Sequence, residues 1–379
     1  MINSIVIVKR SNLKMNATQT QYDTTADTLP FVATFGHDQL ALKQSDVHGV
    51  HVLAIGDPHF RLENMETLPA YISKILELIR EQKLDFVVIL GDMLHCHERL
   101  HTTVLNKAYR FVNDIRQLTE VYVLVGNHDY INNSQFLSTH HWMNAMKEWS
   151  GVHIVDTGAV RHTAHGTIVF CPYVFPGRFK EALDIIDTDW KSARAIFCHQ
   201  EFRGCKMGAI ESVDGDAWDA CYPFVVSGHV HDRQTVGSNV FYTGSSLQHA
   251  FGEKGDKTVS ICRFREKIIV ENIGLDMPVK RTMYMDVEEL RNFSPMRDSA
   301  GNLRITVSGT SAEFKVFRKT QKYKRLVDSD IKVVFRQRAC TVANDATRAV
   351  KGFKSLLSEA VNTHKDENVA VLYKRLFLE

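Results

Sequence analysis

Apolar runs in this chain end repeatedly on clusters of glycine, aspartate, asparagine and histidine. Val52-Leu53-Ala54-Ile55 stops at Gly56-Asp57, Phe86 to Leu90 at Gly91-Asp92, and Val121 to Val125 at Gly126-Asn127-His128-Asp129. Further on, Ala195 to Phe197 runs into Cys198-His199, Phe224 to Val226 into Ser227-Gly228-His229-Val230-His231, and Val240 to Tyr242 into Thr243-Gly244-Ser245-Ser246. Between the first runs, Ile72, Ile75, Leu76 and Ile79, then Leu105, Ala108, Val112 and Ile115, recur at helical spacing. Strands that are apolar throughout are covered on both faces, and strands alternating with helices build an α/β sheet. In open α/β sheets ligands bind beyond the carboxyl ends of the strands. The clusters are therefore expected to converge in space although they run from residue 56 to residue 246.

At 379 residues the chain exceeds the size at which one core stops growing, so one large α/β domain with a smaller appendage is expected. Hydrophobic residues make up 44% and charged ones 24%, which excludes collagen-like, low-complexity and disulfide-scaffold classes. The seven cysteines are odd in number, scattered and without a C-x-x-C pair, so they suggest neither a disulfide framework nor a zinc ribbon. A reducing intracellular compartment, cytoplasmic or nucleoid or nuclear, is the expectation. Ile5 to Val8 is too short for a secretion-signal core, and no stretch reaches the roughly 20 apolar residues of a membrane span. The formal charge of +2 neither demands nor forbids a nucleic-acid partner, so any basic surface must be local.

Residues 1–48 are polar and Thr-rich, with a short strand expected at Phe31 to Phe35, and read as an extension. Residues 49–280 carry the clusters. In 281–342, Leu303 to Val307 alternates strictly, a helix is expected from Ser311, its own amino-terminal cap, to about Gln321, and a strand from Asp330 to Phe335. In 343–379, Val350, Phe353, Leu356, Leu357 and Val361 form an apolar helical face suited to docking a partner or to packing on the chain's own core.

Asp57, His59, Asp92, Asn127, His199, His229 and His231 are seven candidate metal ligands. Four imidazoles, two carboxylates and an amide suit Mn²⁺, Fe²⁺ or Zn²⁺ better than an all-oxygen Ca²⁺ or Mg²⁺ cage. Seven are too many for one tetrahedral zinc, whereas two ions sharing a carboxylate, here Asp92, are a recurrent design for phosphoester hydrolysis. The D-x-H and H-x-H spacings are expected to turn each pair of side chains to one side of an extended segment or tight loop.

In order and approximate spacing, G-D-P-H from Gly56, G-D-M-L-H from Gly91, G-N-H-D from Gly126, Cys198-His199 and G-H-V-H from Gly228 resemble the five motifs of the calcineurin-like metallophosphoesterases. More narrowly, Gly91 to His95 and Tyr242 to Ser246, followed by Phe251-Gly252-Glu253, are similar to the SbcD-type nucleases of DNA double-strand-break repair and their phage and large-virus relatives. The resemblance covers about 51 to 280. It departs where Cys198 replaces a common glycine and in the extension before His51. It implies a four-layer sandwich, mixed sheets flanked by helices, with a small α+β capping domain. It also implies that Asp57, His59, Asp92 and His231 hold one divalent metal, Mn²⁺ first, and that Asp92, Asn127, His199 and His229 hold the other. His128 would stabilise the transition state or protonate the leaving oxygen, with Asp129 orienting its imidazole. His95 would contact the phosphate, or be one more loop histidine beside His97.

The implied activity is a two-metal DNA nuclease working with a coiled-coil ATPase resembling SbcC, with DNA and a second copy of the chain as further partners. Its rival is a stand-alone phosphodiesterase or phosphatase for a small phosphoester. A non-catalytic DNA-end scaffold is opposed by the intact ligand set. Between Leu303 and Arg338 stand ten basic against three acidic side chains, a local excess that suits phosphate-backbone binding, with Lys319, Lys322, Lys324 and Arg325 as the candidate contacts. An ordinary solvated helix face is the alternative, and Phe317 and Tyr323 serve either packing or stacking.

Overall fold

The computed structural model describes residues 5–10, 49–97, 99–295 and 302–338, and positions 357, 361, 369 and 373. The strand expected at Phe31 to Phe35 lies outside these residues, as does the apolar face of 343–379 apart from Leu357 and Val361. From the amino end, β1 (Ile5–Arg10), β2 (Val50–Ile55), β3 (Phe86–Ile89), β4 (Glu120–Leu124) and β5 (Val152–Val155) belong to one sheet, with α1 (Leu68–Glu81) and α2 (Thr102–Arg116) as the crossovers after β2 and β3. A second sheet follows from β6 (Ala159–Thr163), β7 (Gly166–Cys171), β8 (Ala195–Cys198), β11 (Phe224–Ser227), β12 (Gln234–Val236) and β13 (Val240–Tyr242). α3 (Phe179–Ile185) precedes β8, and a short hairpin of β9 (Lys206–Met207) and β10 (Ile210–Glu211) follows it. The chain then returns to the first sheet through β14 (Thr258–Phe264) and β15 (Ile268–Gly274). The final orders are β1-β15-β14-β2-β3-β4-β5 and β12-β13-β11-β8-β7-β6.

Two-residue alternation along the strands produces the layers. Val52, Ala54, Phe86, Val88 and Leu124 of the first sheet pack on Phe170, Phe197, Val226 and Phe241 of the second. The residues between them, Leu53, Ile55, Val87, Ile89 and Val123, face Tyr71, Ile75, Phe111 and Ile115 of α1 and α2. On the far side Val169, Ile196 and Val225 meet Phe179 and Leu183 of α3, together with Trp190. Helix, sheet, sheet and helix make four layers, and the central strands β3, β8, β11 and β13 are buried on both faces because they carry no polar alternation. Since β2, β3 and β4 are mutually parallel, as are β8, β11 and β13, their carboxyl ends open on one side of each sheet.

Four sequence expectations change. Ile5 to Val8, read as part of an extension, is β1, an edge strand pairing in parallel with Ile268 to Ile273. Four apolar residues are too few for periodicity to reveal such a strand, whose partner is remote in sequence. Arg281–Asp286, given no structure from sequence, is β16, joined by α4 (Val287–Asn292) to β17 (Leu303–Gly309). The single helix expected from Ser311 is two, α5 (Ser311–Phe317) and α6 (Gln321–Asp328), before β18 (Lys332–Gln337). The cap of α5 is Thr310, not Ser311: its hydroxyl accepts from the Glu313 amide while the Glu313 carboxylate accepts from the Thr310 amide. Thr320 caps α6 in turn and restarts the helix. The β16-β17-β18 sheet is parallel, and its core contains Leu290, Ile305, Val307, Phe314, Phe317 and Leu326. Phe317 is thus a packing residue and not a stacking platform. The Arg304 guanidinium lies 5.1 Å over the Phe251 ring, and the Lys280 amide donates to Gln248 Oε1 at 2.6 Å, so this unit leans on the 248–253 loop.

Candidate metal centre

All seven candidate ligands meet at the strand ends. The loops that carry them are tight: Asp57, His59, Asp92 and His229 sit at φ of 42°, 43°, 51° and 77°, a region that non-glycine residues seldom occupy and that clusters at functional sites. Gly126 is obligatory here, because a Cβ would stand 2.3 Å from both the Asp92 amide nitrogen and Asp92 Oδ1.

His59 Nε2 lies 3.1 Å from His231 Nε2 and 3.5 Å from Asp92 Oδ2. On the other side of Asp92, His199 Nε2 lies 3.5 Å from Oδ1 and 2.9 Å from Asn127 Oδ1. His229 Nδ1 is 3.0 Å from the same Asn127 oxygen and 3.3 Å from His199 Nε2. The two oxygens of Asp92 therefore face two different groups of donors. His229 and His231 also face different groups, which corrects the expectation that H-x-H turns both side chains one way: the positive φ at His229 breaks the alternation of an extended segment.

These donors fit divalent cations. Asp57 Oδ1 accepts from the His229 amide at 2.9 Å, but Asp57 Oδ2 is buried with no hydrogen-bond partner among the described residues. Buried polar atoms are rarely left so, and a bound cation would satisfy the orphan oxygen together with the facing imidazole nitrogens. The ligand atoms of Asp57, His59 and His231, and those of Asp57, Asp92 and His199, each lie within 4.8 Å of one another.

Residues 50–233 match the family described as calcineurin-like phosphoesterase. "Putative phosphoesterase 244L" of Invertebrate iridescent virus 6 is 45% identical over 277 residues, covering 71% of this chain and 98% of that protein. "Putative phosphoesterase 078R" of Invertebrate iridescent virus 3 is 41% identical over 333 residues, covering 86% of this chain and 96% of that one. The chain belongs to the calcineurin-like phosphoesterases. Among solved structures, the purple acid phosphatase PPD1 of yellow lupin is similar with a TM-score of 0.39 and 11% identity, over 60% of this chain and 52% of that chain. Members of the family are metal-dependent hydrolases of phosphoesters.

In this phosphoesterase the ligand rings are held from behind. His199 Nδ1 donates to the Leu90 carbonyl at 2.6 Å, which leaves Nε2 with a lone pair available to a cation. His231 Nδ1 stands 3.4 Å from Glu253 Oε1, and His229 Nε2 3.9 Å from Glu201 Oε2. His249 Nε2 donates to the Asp57 carbonyl at 2.9 Å and steadies the loop from beneath. Glu201 and His249 escaped the sequence reading because neither belongs to the glycine, aspartate, asparagine and histidine motifs that follow the strands. Glu253 was visible only within the F-G-E resemblance. Burial would raise the Asp92 carboxyl, but the His199 and His59 imidazoles outweigh it and hold Asp92 well below the usual carboxylate range. Asp57 is pushed up by burial, against the pull of His199 and His231.

His128 adjoins the centre. Its amide donates to Asp92 Oδ1 at 2.8 Å and its Nδ1 donates to the His95 carbonyl at 2.7 Å. The His95 and His97 rings lie nearly parallel to it, with centroids 5.4 and 4.8 Å away. Asp129 does not orient this imidazole, contrary to the sequence expectation. Its carboxylate instead accepts from the amides of Gly126, Met93 and Leu94 and from the Trp142 indole, at 3.0 to 3.3 Å. It ties the loop after β4 to the loop after β3. His95 is half-buried, with Nδ1 3.4 Å from His59 Nδ1. Of the basic candidates, Lys319, Lys324 and Arg325 are exposed, whereas Lys322 donates its ammonium to the Phe293 carbonyl and is engaged inside its own unit.

Proposed function

We propose that the chain hydrolyses phosphodiester bonds of DNA with two divalent cations, Mn²⁺ first among them. Asp57, His59, Asp92 and His231 would hold one, and Asp92, Asn127, His199 and His229 the other. The observation that carries the reading is the division of the Asp92 carboxylate, one oxygen 3.5 Å from His59 and the other 3.5 Å from His199. Such a cation pair, when bound, supplies Lewis-acid polarisation of the phosphoryl group and a nucleophile from water near neutral pH.

The chain's own groups do the rest. His128 Nε2, fixed by the bond from Nδ1 to the His95 carbonyl, holds the proton that the departing oxygen needs. Arg61, whose Nη1 is 3.5 Å from His95 Nε2, presents positive charge to a phosphate approaching beside His59, while burial and the Arg61 charge lower the pKa of His95, which would contact the phosphate as a neutral imidazole. Support for DNA comes from the exposed Lys319, Lys324 and Arg325 in the locally basic unit after residue 281. A second reading, a small phosphoester, is favoured by the modest size of the pocket beside His95, about 340 Å³.

Metal analysis of the purified chain with parallel assays tests the proposal. Two equivalents of Mn²⁺ per chain, with hydrolysis of both bis(p-nitrophenyl) phosphate and linear DNA, are expected, and both cations are to be lost in Asp92→Ala. Turnover of the chromogenic diester without any of DNA would select the second reading.

A further inference from the structure

The loop after β2, the loop after β3 and the start of α2 enclose a pocket of about 340 Å³ lined by Phe60, Leu94, Leu100 and Val104, with Arg61, His95 and Arg99 also in its lining. Its floor is rigid: the Phe60 amide donates to the Met93 carbonyl at 2.7 Å, and Phe60 and Leu94 are 1% and 2% exposed. The pocket adjoins the metal centre at His95, which lines it while its Nδ1 stands 3.4 Å from His59 Nδ1. Arg61 is fixed between the two. Its guanidinium donates to the His249 carbonyl, yet its Nε is buried without a hydrogen-bond partner among the described residues and lies 3.8 Å from the Glu63 carboxylate.

The combination narrows the ligand. An aliphatic chain would fill the apolar walls but leave two guanidiniums, the His95 and His101 imidazoles and the Glu63 carboxylate facing hydrocarbon, whereas a free phosphate would leave the walls empty. A planar heterocycle satisfies both, since its faces pack on Leu, Val and Phe, its π-system takes a guanidinium, and its edge takes hydrogen bonds. The volume lies near the lower end of ligand pockets, roughly 300 to 1,000 Å³, which suits one nucleoside and excludes a base pair. We propose that this pocket is a subsite for the nucleobase of a nucleoside phosphate ester whose phosphate lies at the metal centre. The inference rests on the hydrolase reading above. Its ligand is either a mononucleotide ester or an unpaired nucleotide of a strand.

Calorimetric titration of the Mn²⁺-loaded full chain tests it, with thymidine 5′-monophosphate, methyl phosphate and a short oligothymidylate as probes. The nucleotide should bind at least tenfold more tightly than methyl phosphate. Leu100→Trp, which fills the cavity, should bring the two affinities together. Arg99→Ala, a change at an exposed position that serves where the Trp variant fails to fold, should narrow the gap several-fold. Equal affinities in the unaltered chain, or a gap that survives Leu100→Trp or, where that variant does not fold, Arg99→Ala, overturn the subsite. Oligothymidylate binding as tightly as the mononucleotide identifies a strand as the source, and binding of the mononucleotide alone identifies a small ester. Loss of the subsite alone leaves methyl phosphate binding and diester turnover in place. Absence of both defeats the hydrolase reading itself.

Discussion

At the scale of the residue, adjacent side chains in one loop carry separable duties. His128 packs its ring against His59 and bonds through Nδ1 to the His95 carbonyl, while Asp129 is turned away and gathers three backbone amides and an indole. His128→Ala should therefore retain bound metal and thermal stability but lower the chemical step by roughly 10² to 10⁴, the range for a positioned acid or base. Asp129→Ala should act differently, because buried donors left without an acceptor cost about 1 to 3 kcal/mol each. Denaturant unfolding should show a loss of about 3 kcal/mol or more, with weaker metal binding because the loop holding Asn127 loosens. An Asp129→Ala enzyme of ordinary stability and altered kcat alone would restore the orienting role that the sequence suggested. The sequence named both residues but could not separate them, since spacing says which residues share a loop and not which way each side chain turns.

At the scale of the element, the strands preceding ligands were legible because each couples an apolar run to a glycine or a polar stop, as Val52 to Ile55 does before Gly56-Asp57. β1 and β16 lack that punctuation and take their stability from distant partners, so their sequences look like linkers. Supporting contacts between elements were equally hidden. Asp156, just past β5, accepts from His141 Nε2 at 3.0 Å and Lys147 Nζ at 2.5 Å, closing the 139–148 segment on the sheet. Burial alone would raise its pKa, but these two donors outweigh burial and hold it below the ordinary carboxylate value. A depressed folded pKa means that the stabilisation is fully present above the unfolded value of about 3.9 and is lost as pH falls through the lower folded one. Asp156→Asn in chelator-treated protein should thus cost about 2 kcal/mol at pH 7, and the gap to the unaltered chain should shrink below about pH 4. Urea titrations at the two pH values check this, and a gap independent of pH counts against the carboxylate's role.

At the scale of the whole molecule, the four-layer body and the unit after residue 281 carry different parts of the proposed activity. Contacts of Arg304 with Phe251 and of Lys280 with Gln248 tie that unit to the loop bearing His249 and Glu253, behind the ligands. Neither contact could be read from a count of charges, which indicated only that Leu303 to Arg338 is basic. Because Lys322 already serves the Phe293 carbonyl, the surface open to a phosphate backbone is Lys319, Lys324 and Arg325. Replacing these three with Gln should weaken DNA binding and flatten its salt dependence, the slope of log affinity against log salt falling by about 0.7 to 0.9 per lost contact. Hydrolysis of bis(p-nitrophenyl) phosphate should persist, because the divided Asp92 carboxylate and its two groups of donors lie wholly within residues 57–231. Fluorescence anisotropy at several salt concentrations, beside the chromogenic assay, separates the outcomes. An unchanged salt slope makes the basic face a solvated surface and turns the reading to a small phosphoester, whereas a lower slope with intact chromogenic turnover assigns DNA capture to this unit and bond cleavage to the strand-end cluster.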